Sequence, residues 1–175
     1  MSNIKLVEQI SAFKKLSKNE NNWRIAFYHI ANEFWNMPEH YVVLDKQSVE
    51  KGYNLPLIRE YKDTLAVQFF TDYSKALDFV ERQEDLFTYE GKKLIYKMKK
   101  GAFQEVFVPF LASQNLAYMI NDVEEHFVDT FERLLAVMEA DKSYVVDEEQ
   151  AELINNKDFK NFYGDVCKKY LIFVG

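Results

Sequence analysis

The chain predicts a mixed α/β or α+β fold, with a small mixed β-sheet packed with helices and preceded by an N-terminal helical hairpin. Three observations carry this. Apolar residues recur at helical spacing through residues 1–37, and from residue 40 compact β-branched runs replace them. Strands and helices then alternate, but the strands are too short and few for a full doubly wound sheet. A chain of 175 residues with 48% hydrophobic and 16% aromatic content is long and apolar enough to bury one substantial core.

Ile4, Val7, Ile10 and Phe13 mark a first helix that ends in Lys14, Lys15 and Lys18, where cations suit the helix dipole. Trp23, Phe27, Ile30 and Phe34 mark a second, stopped near Pro38. "YVVLD" reads as a strand, and "LPLIREYKDTLAVQFF" as a hairpin turning at Tyr61-Lys62-Asp63-Thr64. At "QFFTDYSKALDF" the character switches from strand to helix, and Thr71 or Asp72 supplies the cap that such a helix start needs. "KKLIYKM" is a further strand. Residues 101–113 form a helix that Pro109 must kink or end, and "LAYMIN" is a short strand. Phe127, Phe131, Leu134, Leu135 and Met138 place a helix within 123–140, started by Asp122 or Asp129. One or two helices and a short strand close the chain. This gives two parts, an N-terminal hairpin over 1–37 packed on the core and an α/β domain over 38–175 with a C-terminal helical extension.

The order of these elements resembles the SseB-like (enhanced serine sensitivity) domain over about residues 40–140. The matching positions are Phe70, Thr71, Asp72, Ala76 and Phe79 at the strand-to-helix step, then Ile120 and Asn121 at the end of a later strand. Asp72 stands where that family often has Ser, and Asp122 where it usually has Pro. The resemblance implies a cytosolic bacterial accessory or interaction domain and supplies no catalytic residues.

Net charge is −6, from 28 acidic and 22 basic residues, and only Arg24, Arg59, Arg82 and Arg133 are arginines, which argues against nucleic-acid binding. No apolar run is long enough to cross a membrane, and the first residues lack the pattern of a secretion signal. With Cys167 as the lone cysteine, the expected setting is cytoplasmic. Cys167 shares an apolar face with Phe159 and Tyr163 and reads as a buried, inert thiol.

With no Gly-rich phosphate loop or nucleophile elbow in the sequence, no catalytic residue, metal ligand or cofactor is assigned. The leading expectation is a non-enzymatic protein-interaction or adaptor module that binds another protein or itself. Glu148, Glu149 and Glu152 with Tyr53, Tyr61 and Tyr73 form its candidate surface, suited to neutralising a basic partner. The alternative is a small enzyme or ligand-binding protein with a pocket built from His29, Glu33, His40 and His126. Lys92, Lys93, Lys97, Lys99 and Lys100 read as guards of an edge strand.

Overall fold

The computed structural model describes residues 4–15, 20–122, 126–138 and 156–175. It shows a mixed α and β architecture that opens with a pair of helices, α1 (Ile4–Lys15) and α2 (Glu20–Trp35). In α1 the buried stripe is Leu6 and Ile10 with half-buried Phe13, so Leu6 rather than Val7 carries it. Phe27, Ile30 and Phe34 of α2 are buried, whereas Trp23 is 36% exposed. Leu6, Ile10, Phe27, Ile30 and Phe34 join the same apolar cluster as the sheet residues Val67, Phe69, Tyr118 and Ile120.

Two small sheets lie under the helices. One is antiparallel and has the order β1 (Glu39–Val43), β6 (Ile95–Lys99), β9 (Ile172–Phe173). The other has the order β2 (Ile58–Tyr61), β3 (Thr64–Phe69), β7 (Ala117–Ile120), β8 (Phe127–Thr130), and β3 and β7 run parallel. Tyr41 and Phe70 form a bridge between the two sheets. Alternation along β1 then sends His40 and Val42 to the main core, and Tyr41 and Val43 to a smaller one. That smaller core lies under α4 (Tyr73–Glu81), which contributes Ala76, Phe79 and Val80.

The hairpin at Tyr61–Thr64 forms as expected, and both turn residues take left-handed backbone, Lys62 at φ 46° and Asp63 at φ 65°. Asp72 caps α4, its Oδ1 accepting from Lys75 N–H at 3.0 Å. The helix α3 (Lys46–Glu50) is capped in the same way by Asp45.

Three element expectations change. "KKLIYKM" is not one strand: β5 (Lys92–Lys93) pairs with β4 (Thr88–Tyr89), which follows the short helix α5 (Glu84–Phe87), and Leu94 separates β5 from β6. β6 runs between β1 and β9, so Lys97 guards no edge and instead pairs diagonally with Glu39 on β1, while Lys93 pairs with Glu81. Pro109 does not end its helix. Lys100–Ala102 (α6) continues through a π-helical turn, Phe103–Phe107, into α7 (Val108–Ser113), with Val108 N–H donating to Phe103 C=O. The wider turn takes up the displacement that the proline ring demands.

The region 123–140 also divides. Phe127 lies on β8 and only Phe131–Met138 is helical (α8), started by Thr130, whose hydroxyl accepts from Arg133 N–H at 3.1 Å. The final helix, α9 (Lys157–Tyr170), is capped by Asn156 and buries Phe159, Tyr163 and Cys167.

Candidate functional site

The candidate histidines lie in three different settings. His29 is exposed on α2 beside Tyr28, and Glu33, one turn on, pairs with Lys5 at 3.0 Å. His40 is fully buried. Its ring lies on Phe103 with centroids 3.5 Å apart, and its Nε2 donates to Phe34 C=O at 2.6 Å. Burial opposes a charged imidazole there, and the His40 pKa falls to about 3. It is a neutral core residue.

His126 is the histidine that meets another candidate. Its Nε2 lies 3.4 Å from the Tyr61 hydroxyl, with the rings edge to face, and its Nδ1 lies 3.4 Å from Lys14 Nζ. Tyr53 sits against Lys160 in a shallow hollow floored by Phe159, and Tyr73 stands 37% exposed in the first turn of α4. Trp35, also at an element end, is buried. Glu148, Glu149 and Glu152 lie outside the described residues.

Tyr61 and His126 border a groove of about 340 Å³ between the helix pair and strand β8. Its walls are aromatic: Trp23 stacks on Phe27 with centroids 5.7 Å apart, and Phe13 packs on Trp23 and Phe127, each at 5.4 Å. Lys14, Lys62 and Arg133 bring positive charge to it, and Asp129 is the one carboxylate among its described lining residues. Arg133 lies over Phe27 and reaches Asp129 Oδ1 at 3.3 Å.

Asp129 follows from strand alternation, which turns it to the same side of β8 as buried Phe127, with its side chain only 8% exposed. Oδ2 has no hydrogen-bond partner among the described residues, and burial raises the pKa of the acid despite Arg133. Tyr118, directly opposite on β7, is buried with its hydroxyl likewise unpartnered.

A second polar assembly lies at the carboxyl ends of β3 and β7. Thr71 and Asn121 are buried there: Asn121 Oδ1 accepts from Thr71 N–H at 3.0 Å, and Asn121 Nδ2 lies 3.2 Å from the Thr71 hydroxyl. The next residue, Asp122, receives Arg59 Nη1 at 3.0 Å on one oxygen and Arg82 Nη2 at 3.4 Å on the other. Both guanidinium groups lie over Phe79, at 5.7 and 6.0 Å.

The sequence pointed to Thr71 and Asn121 but not to the Arg59–Asp122–Arg82 cluster or the groove cations. The usable signal was the scarcity of arginine: of four in the chain, Arg59, Arg82 and Arg133 stand in these two places.

Cys167 is 1% exposed and its thiol pKa is pushed well up by burial, so it carries no ready thiolate. Among the described residues no group of His, Cys, Asp and Glu is placed to hold a metal ion, and no helix is long and apolar enough to cross a membrane. Comparison with family models, curated proteins and solved structures finds no match.

Proposed function

We propose that the chain is a non-enzymatic protein-interaction module whose groove, bordered by Tyr61 and His126, takes an acidic segment of a partner protein. The observation that carries this reading is the groove's composition, aromatic walls with Lys14, Lys62 and Arg133 against one carboxylate among the described residues, on a protein of net charge −6. Aromatic side chains anchor interfaces because they bury large area at low entropic cost, and complementary charge sets register and association rate. Two other candidates for chemistry lie outside the groove: His40 is sealed in the core and Cys167 is buried as a thiol.

The version of this function that neutralises a basic partner rests on Glu148, Glu149 and Glu152, outside the described residues, whereas the groove favours the opposite sign. What supports the SseB-like reading is that residues carrying the resemblance meet in one place: Thr71 bonds Asn121, and Phe70 packs on Phe79 at 5.2 Å. A cytoplasmic setting is part of the same proposal.

Selection from a random displayed peptide library tests it. Peptides enriched by the wild-type protein are expected to carry Asp or Glu beside an apolar anchor and to be lost on a Tyr61→Ala, Lys62→Glu variant. Enrichment of basic peptides, or equal enrichment by both proteins, would overturn the acidic-partner assignment.

A further inference from the structure

We propose that Arg59 and Arg82 form a receptor for a phosphoryl group, at present closed by Asp122. This goes beyond the groove and stands on different residues. Two guanidinium groups on one aromatic face converge on a single carboxylate, which among the described residues leaves one positive charge over in the cluster. Asp122 uses one terminal nitrogen of each arginine. Nη2 of Arg59 and Nη1 of Arg82 have no hydrogen-bond partner among the described residues. An anion with three acceptor oxygens can use the nitrogens that Asp122 leaves open, and in its singly charged form it matches the one positive charge left over.

The receptor is built in advance. Gln68, fully buried, accepts from Arg59 Nη1 at 3.0 Å through Oε1, while its Nε2 donates to Phe69 C=O at 3.0 Å and Asn121 C=O at 2.9 Å. The Arg59 side chain is thus oriented by a group that is itself locked to the ends of both parallel strands. Arg82 is 54% exposed and Asp122 19%, so the cluster opens to solvent. Its place fits as well, because ligands of open α/β sheets gather outside the carboxyl ends of parallel strands. Asp122 stands just after Asn121, which holds a left-handed φ of 57°. A substitution that takes away its charge weakens this closure without removing either arginine.

The test titrates the full chain with inorganic phosphate and, separately, with O-phosphoserine, against sodium chloride of equal ionic strength. The readouts are the Tm and the ¹⁵N resonances of the arginine side chains. Wild type is expected to show a saturable response beyond that of chloride. Asp122→Asn should bind roughly tenfold more tightly and Arg82→Gln roughly tenfold more weakly, each about 1.4 kcal/mol. A response to inorganic phosphate points to a free or small-molecule phosphate, and one confined to phosphoserine points to a phosphorylated side chain. If every variant follows ionic strength alone, Asp122 with its arginines is a structural clamp and the proposal fails.

Discussion

Asn121 and Thr71, 50 residues apart in sequence, hold each other at the carboxyl ends of the two parallel strands through the Thr71 N–H and both side chains. This contact ties the strand-to-helix step after β3 to the end of β7. It also fixes the backbone from which Asp122 projects.

Asn121→Ala therefore removes a buried acceptor and donor and places alanine at positive φ. The expected loss is about 3 kcal/mol, shared between the hydrogen bonds that Asn121 makes to Thr71 and the left-handed backbone. Asn121→Gly relieves the backbone but not the hydrogen bonds, so it should fall between wild type and Asn121→Ala in urea denaturation. Equal stability of the two variants would mean that the left-handed backbone costs nothing here.

His40 makes stability depend on pH in a defined direction. Its pKa is about 3 in the fold, below the ordinary 6.5. The unfolded chain therefore takes up a proton that the folded chain refuses as pH drops below 6.5. The stabilisation is present above that pH and is lost progressively toward 3, by at most about 1.4 kcal/mol per pH unit. His40→Gln keeps a neutral donor for Phe34 C=O and lacks the titration. Wild type should be the more stable protein at pH 7, and its advantage should shrink between pH 6.5 and 4, read from urea midpoints. A constant gap across that range would contradict the assignment.

Gly164 occupies the middle of α9, where alanine would ordinarily stabilise a helix by about 1 kcal/mol. Here a Cβ would run into the backbone carbonyl of Tyr53, which has no flexible end to yield. Gly164→Ala is expected to lower the Tm, and a rise would mean that α9 stands farther from the Tyr53 loop.

Asp129 is held with a raised pKa, so its charge opposes folding once pH exceeds the ordinary carboxylate range. Asp129→Asn should raise the Tm at pH 7, and the gain should fade as pH drops into the acid range where wild type protonates. A Tm that falls at pH 7 would show that the Arg133 ion pair outweighs burial.

Local signals told much of the fold. The turn at Lys62-Asp63 and the cap at Asp72 depend on one or two residues and their immediate backbone, and both were legible. The β8 strand was not, because Phe127, Phe131, Leu134 and Leu135 match helical spacing regardless of where the helix begins. Its pairing with β7 is a non-local contact that outweighs the periodicity. For the same reason Tyr61 and His126 were named separately as candidates but not as neighbours, since 65 residues separate them. Arg59 and Arg82 carried no motif, and only the fold brings them to one carboxylate.

Recognition of negative charge by the groove beside Tyr61 is the proposal on which the function rests. Its most direct test is the dissociation constant of a peptide selected on the wild-type protein, measured for wild type and Lys62→Glu at low and high salt. Charge reversal is expected to weaken binding roughly tenfold, about 1.4 kcal/mol, and wild-type affinity is expected to fall markedly as salt rises. Equal affinity for both proteins, unchanged by salt, would contradict it.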